Sequence, residues 1–312
     1  LPASRFMKPR RVGIVLNSSA GTAAGRTQDE LRAELKAAFD SHAIAASFEF
    51  AAGAQLPAAA ARAVKSARAG EIDAIIAGGG DGTIRSVAGA VAGSNIALGV
   101  LPLGTLNHFA KDLKIPLRLD EAVAVIARGM YRSIDVGDVN GEVFINNSSI
   151  GIYPYLVLDR DRRRERHGMS KWTALALAAW RQLRNLPLRR LRVHTENWRA
   201  ECRTPCVFIG NNAYELKGAS FGSRGSLDRA ELCLLVARRQ GPFGLLWLGL
   251  RCLAGLVDQQ DLRTFTVRSV DVSSRRKHLL VAFDGEVRSM RTPLHYRIRP
   301  GALRVLAVAA SE

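Results

Sequence analysis

Apolar and polar positions follow two rhythms along this chain, and the change falls near residue 137. Before it, short apolar runs alternate with longer stretches whose apolar residues recur three and four apart. "RVGIVLN" (11–17) reads as a strand that ends in the small-residue loop "NSSAGTAAG" (17–25). Thr27 and Glu30 read as a capping box, and Leu31, Leu35 and Phe39 recur at helical spacing behind it. "ASFEF" (46–50) predicts a strand, and Pro57 opens an alanine-rich helix over 57–69, where its missing N–H is harmless. "IDAIIA" (72–77) and "IALGVLP" (96–102) predict two more strands, with helices expected over 83–93, from Thr105 onward and over 119–129. This alternation predicts an α/β fold, an N-terminal doubly wound domain with a parallel sheet and helices on both faces.

From residue 131 the runs become short, β-like and joined by turns. Strands are expected at 131–139, 142–150, 191–196, 202–210, 231–237, 263–272, 277–283 and 295–299. Helical insertions are expected at 169–185 and 243–260. The expected organisation is therefore an α/β domain over 1–137 and a C-terminal mostly-β domain over 138–312.

Composition sharpens this picture in three ways. With 312 residues and 47% hydrophobic content, the chain can build two real cores. Lys and Arg number 45 against 28 Asp and Glu, and the net charge of +17 favours polyanionic partners such as nucleotides, nucleic acids or anionic membranes. Aromatics are only 6% and no nucleic-acid-binding motif occurs, so no nucleic acid is expected as partner. Cys202, Cys206, Cys233 and Cys252 lack the paired spacing of a zinc site and fit reduced thiols in a cytoplasmic compartment. Phe243–Val257 is apolar but carries Arg251 and falls short of the roughly 20 residues of a spanning helix. Met7 reads as an initiator, and with no long apolar run in "LPASRFMKPRRVGIV" no export signal is expected.

The chemistry concentrates in two glycine turns. In "IIAGGGDGTI" (75–84) an apolar strand feeds Gly79, Gly80, Gly82 and Thr83 and then a helix. Such a turn aims backbone N–H groups at one point, and the helix N-terminus adds partial positive charge, so a phosphate is the expected ligand. Asp81 would repel that phosphate unless a cation such as Mg²⁺ lay between them; alternatively, Asp-Gly simply makes a tight turn with Asp capping the helix. "LPLGTLNHFAKD" (101–112) sets Gly104, Thr105 and Asn107 in the same position one strand later. Ligands bind outside the carboxyl ends of strands in open α/β sheets, so the two turns are expected to share one nucleoside triphosphate.

"GGGDGT", "PLGTLNHFA", "IDVGDVN" and the late "FDGE" together resemble the diacylglycerol kinase catalytic-domain family, in order from about residue 11 to residue 308. That family includes sphingosine and ceramide kinases and bacterial lipid kinases. The resemblance implies ATP- and Mg²⁺-dependent phosphorylation of a lipid hydroxyl on diacylglycerol, ceramide or a sphingoid base. It also implies an N-terminal nucleotide-binding domain, a C-terminal β-sandwich and an active site in the cleft between them. By position it makes Gly79, Gly80, Asp81, Gly82 and Thr83 the nucleotide loop and Gly104, Thr105 and Asn107 the second phosphate-facing turn. Asn17 and Gly21 are kept from the family's first loop, although "NSSAG" lacks its proline. Asp135 matches an Asp near the metal, and Glu286 matches the general base, with Asp284 beside it.

Phosphoryl transfer needs positioning, charge neutralisation and a carboxylate to take the hydroxyl proton, so these residue types suit the reaction. "LLVAFDGEVRSM" (279–290) also reads as a plain hairpin, and a turn can present Glu286 as well. In "SRGSLD" (223–228) Arg224 stands where the family has Asp, although Asp228 is kept, so no structural metal is expected there. Docking on an anionic membrane surface, at the inner face, is expected through "DRDRRRERHGMSKW" (159–172) and the following Trp172, Leu175, Leu177 and Trp180. The same charge run also reads as a solvated loop. An NAD kinase-like enzyme and an inactive lipid- or nucleotide-binding regulator are the alternatives, and a homo-oligomer is left open.

Overall fold

The computed structural model describes residues 5–6, 8–20, 25–167, 189–215, 223–237, 247, 251 and 262–308. The chain divides into two units, one of residues 1–136 with 300–312 and one of residues 137–299. The last stretch, which the sequence pattern places with the β-rich domain, therefore returns to the first unit.

In the first unit β1 (Arg5–Phe6) precedes β2 (Arg11–Asn17), α1 (Gln28–Asp40), β3 (Ala45–Ala51), α2 (Leu56–Arg68), β4 (Ala74–Gly79) and α3 (Asp81–Val91). β5 (Ala97–Pro102), the short α4 (His108–Asp112), α5 (Leu119–Arg128) and β6 (Met130–Val139) follow. β3, β2, β4 and β5 lie side by side in that order and are all parallel. β4 and β5 are buried at every position, as strands covered by helices on both faces must be. The helices form where the sequence pattern places them: Thr27 and Glu30 make both capping-box bonds, and Leu31, Leu35 and Phe39 are buried. α5 buries Leu119, Ala122, Val123 and Ile126 and ends on Gly129 in the left-handed region, φ 69°.

The chain leaves this unit along β6 and returns along β17 (Leu294–Leu306), whose end pairs in parallel with β5, Arg304 opposite Ala97.

The second unit holds β7 (Glu142–Phe144), β8 (Asn147–Gly151), α6 (Ile152–His167), β9 (Arg189–Thr195), β10 (Arg199–Thr204) and β11 (Cys206–Asn211). β12 (Leu232–Ala237), β13 (Leu262–Val267), β14 (Ser269–Ser274), β15 (His278–Phe283) and β16 (Glu286–Arg291) complete it. One antiparallel sheet runs β13-β12-β11-β8-β15-β16, and β10-β9-β14 with the first part of β17 make a second antiparallel set. Ile150, Val207, Leu234 and Val281 from the first pack with Leu191, Val193, Val270, Val272 and Tyr296 from the second in one core. Tyr296 hydrogen-bonds Ser148 Oγ at 3.1 Å, and burial pushes its phenol far above the ordinary value. A mostly-β sandwich together with a doubly wound α/β unit is the expected fold class.

Four details differ from the expectation, the first being that the strand expected over 263–272 divides at Arg268 into β13 and β14, which join different sheets. The strand expected over 142–150 breaks into β7 and β8 around Ile145 and Asn146. The strand expected over 202–210 breaks at Pro205, which has no N–H for the ladder. The charged run from Asp159 continues a helix to His167, since Leu, Arg and Glu are good helix formers. The expected helix at 169–185 lies outside the described residues, as does that at 243–260 apart from Trp247 and Arg251.

Candidate active site

β2, β4 and β5 run parallel with Leu16 opposite Gly78 and Gly79 opposite Pro102, so their carboxyl ends lie along one edge. The chain moves from β2 to β3 on one side and then to β4 and β5 on the other. The crevice between β2 and β4 is thus the point where strand order reverses, and the glycine turn stands there. Asn17 Nδ2 spans it by donating to Thr83 Oγ1 at 3.3 Å, while Asn17 Oδ1 accepts from the Ser19 N–H at 2.9 Å.

Both glycine turns exclude side chains for a local reason. Gly79 has φ +158°, and a Cβ on it would come within 2.5 Å of Thr83 Oγ1. A Cβ on Gly104 would stand 2.4 Å from Gly80 Cα, so the two turns pack backbone against backbone. The Leu103 N–H also donates to Gly79 O at 3.2 Å. Gly80 is the N-cap of α3 and offers no side chain to the first N–H groups of that helix.

Asp81 takes a place the sequence does not reveal. Its carboxylate accepts the N–H groups of His108 at 3.2 Å and Phe109 at 3.0 Å, so it caps the next helix rather than its own. That contact ties the first turn to the second. Asn107 shapes the second turn from inside: it is buried, has φ 50°, accepts from the Gly104 N–H at 3.0 Å and donates to Gly104 O at 2.8 Å. Thr105 is exposed at the tip, and Gly82 is the second residue of α3. Gly21 lies outside the described residues.

Asp135, 2% exposed on β6, accepts the Gly301 N–H at 2.8 Å and so joins the outgoing strand to the returning one. Among the described residues, no three His, Cys, Asp or Glu side chains gather as a metal site. Arg85, one turn into α3 and 5% exposed, escapes a reading of the sequence: a lone Arg in "TIRSVAG" carries no motif, and only packing shows it buried.

In the second unit, Asp284 (φ 49°) and Gly285 (φ 85°) form the two-residue turn between β15 and β16. The Asp284 carboxylate accepts N–H groups from Ile145 at 2.8 Å, Asn146 at 2.8 Å and Asn147 at 3.1 Å. Its charge is spent on holding that segment. Glu286, half-buried at the start of β16, has the Arg288 guanidinium 4.0 Å away, and Arg288 also pairs with Glu142 at 2.7 Å. Asp228 is exposed and takes the Ser226 hydroxyl.

Fold and turns define a class: an α/β unit with paired glycine turns at its switch point, in one chain with an antiparallel sandwich. Residues 11–139 match the family described as the diacylglycerol kinase catalytic domain. Over 96 residues the chain is 42% identical to a "Probable lipid kinase YegS-like" of Yersinia enterocolitica, and equally to that of Yersinia pestis. The aligned stretch is 30% of this chain and spans 32% of the length of each of those relatives. The crystal structure of a "putative diacylglycerol kinase" from Bacillus anthracis superposes with a TM-score of 0.72 at 20% identity, covering 97% of this chain and 99% of that one. The fold is therefore shared along nearly the whole chain, and the likeness to the diacylglycerol kinase catalytic domain extends over residues 11–139.

Proposed function

We propose that the protein is a lipid kinase that transfers the γ-phosphoryl group of ATP to a lipid hydroxyl, on diacylglycerol, ceramide or a sphingoid base. The observation that carries this reading is the pair of glycine turns locked together by Asp81 at the carboxyl edge of a parallel sheet. Backbone with no room for a Cβ at Gly79 and Gly104 and a helix start without a side-chain cap suit the close approach of phosphates. ATP, when bound, supplies the phosphoryl group.

Gly79, Gly80, Gly82 and Thr83 receive the phosphates, Asn17 steadies Thr83, and Gly104, Thr105 and Asn107 complete the second wall. Mg²⁺ is usually held by one or two carboxylates together with substrate phosphates, so Asp81 fits as the residue that would hold it. Each Asp81 oxygen keeps a lone pair beyond the N–H it accepts. Asp135 already carries the Gly301 N–H, and no step is assigned to it. Glu286 takes the proton of the lipid hydroxyl, and Asp284 positions the turn that presents it. The charge of +17 suits peripheral docking on an anionic membrane. Of the expected docking segment, only 159–167 are described, as part of α6; among the described residues no helix is long and apolar enough to cross a membrane.

Transfer of radiolabelled γ-phosphate from magnesium ATP to a panel of diacylglycerol, ceramide, sphingosine and NAD tests the proposal. Label should enter one lipid and fall about 10²-fold or more in Glu286→Ala and in Asp81→Ala. Label in NAD, or in no lipid at all, would overturn it.

A further inference from the structure

The second unit contains a buried cation that the reaction described above does not use. Arg224 is 6% exposed, and a guanidinium is tolerated there only if its donors are paired. Two of those donors' bonds fall on one short segment and a third on the adjoining strand β11. Nη1 donates to Ile145 O at 2.7 Å and to Asn211 O at 3.1 Å, and Nη2 donates to Asn146 Oδ1 at 2.8 Å. The guanidinium also lies over the Tyr214 ring, 5.6 Å from its centroid. Two neighbours reinforce the grip: Asn211 Nδ2 donates to Ile145 O at 2.9 Å, and the Tyr214 hydroxyl donates to Asn146 O at 3.0 Å.

Asp284 holds the same segment from its other side by accepting the three N–H groups of residues 145–147. Residues 145–147 thus lie between a cation that takes Ile145 O and Asn146 Oδ1 and an anion that takes all three of their N–H groups. Both sets are charge-assisted, and peptide dipoles polarised from both ends strengthen each other. This is also where the strand expected over 142–150 is interrupted. Only Gly285 separates Asp284 from Glu286, and the tight turn leaves Glu286 little freedom once Asp284 is fixed.

We propose that Arg224 is a positioning residue for Glu286: with residues 145–147 and Asp284 it forms a clamp that sets where the Glu286 carboxylate stands. The functional part rests on the reading of Glu286 as the general base. Arginine is required because its planar fork presents several donors at fixed angles, whereas a lysine ammonium is a single point charge.

Backbone-amide hydrogen exchange and steady-state kinetics on the full chain test the clamp, comparing wild type with Arg224→Lys, Arg224→Met, Asp284→Asn and the Arg224→Met/Asp284→Asn double variant. Arg224→Met should speed exchange at 145–147 and at 285–286 while leaving 79–83 unchanged. Its kcat should fall about 10²-fold, the scale of a misplaced catalytic group, with KM for ATP nearly constant. Arg224→Lys should recover only part of kcat, and the double variant should cost little more than the worse single one, as parts of one unit do. Should Arg224→Met fail to fold, Asn146→Ala, which removes one guanidinium acceptor, should speed exchange at the same amides to a smaller degree; no change there would overturn the clamp. Exchange changes confined to 223–228, an unchanged kcat in folded Arg224→Met, or a KM for ATP rising in step would also overturn it. If wild type phosphorylates no lipid but 285–286 still respond to Arg224→Met, the clamp stands and the general-base reading falls.

Discussion

The chain uses the Asp-Gly pair in both units, at 81–82 between a strand and a helix and at 284–285 between two strands, and the two turns divide their labour in the same way. In each, the aspartate grips backbone N–H groups far away in sequence, two at the start of α4 for Asp81 and three at 145–147 for Asp284. In each, the groups that the proposed reaction assigns to a ligand stand beside the gripping aspartate: the first N–H groups of α3 in one, and in the other the Glu286 carboxylate, which also has Arg288 4.0 Å away. The difference lies in what is gripped. A helix start can turn to water when its cap is lost, whereas three N–H groups of a part-buried strand break cannot easily do so. The first turn is therefore expected to be sensitive in chemistry, the second in stability.

The largest test of this contrast is Asp284→Ala, which should cost about 3 kcal/mol in urea unfolding because several part-buried donors lose their acceptor. Asp81→Ala should cost only about 1 kcal/mol, the scale of a lost helix cap, while lowering transfer about 10²-fold or more. Equal losses would dissolve the distinction. Gly104→Ala comes next: its Cβ would stand 2.4 Å from Gly80 Cα, so about 2 kcal/mol of stability and much of the ATP affinity should go together. Gly285→Ala meets nothing within 4 Å and should cost about 1 kcal/mol through its positive φ alone, with ATP affinity retained. Calorimetric melting and nucleotide titration read both.

The smallest effect concerns a third gripping aspartate, remote from either turn. Asp73 accepts the N–H groups of Arg10 at 2.8 Å and Arg11 at 2.9 Å. Burial raises its pKa, but those N–H groups and the Arg11 charge outweigh it, leaving a net lowering. A lowered folded pKa means stability that is complete above the unfolded value of about 4 and lost as pH falls through the folded value. Asp73→Asn should therefore cost about 1 kcal/mol at pH 7 and progressively less below pH 4, with phosphoryl transfer unaltered. A gap that widened in acid would contradict the assignment.

Much of this architecture is legible in the amino-acid pattern alone. Thr27 and Glu30 announce the capping box because both partners lie within one helical turn, and "AGGGDGT" announces its strand-turn-helix because glycine and an apolar run act locally. The Asp-Gly turn at 284 reads as a hairpin for the same reason. What Asp81 does is not legible, because its partners lie 27 and 28 residues away at the start of another helix. The break at Ile145 and Asn146 is equally hidden, since the groups that force it lie up to 139 residues on. The return of 300–312 to the first unit depends on β17 finding β5, which no pattern within β17 announces.

The two rhythms of the chain, the glycine turns, the basic charge and the acidic residues are fixed locally, because spacing and composition act over a few residues. Tertiary packing settles which carboxylates hold backbone, and that Arg224 is buried with its donors on Ile145, Asn146 and Asn211. A carboxylate or a guanidinium is specified by its partners, and here those partners come from distant parts of the chain.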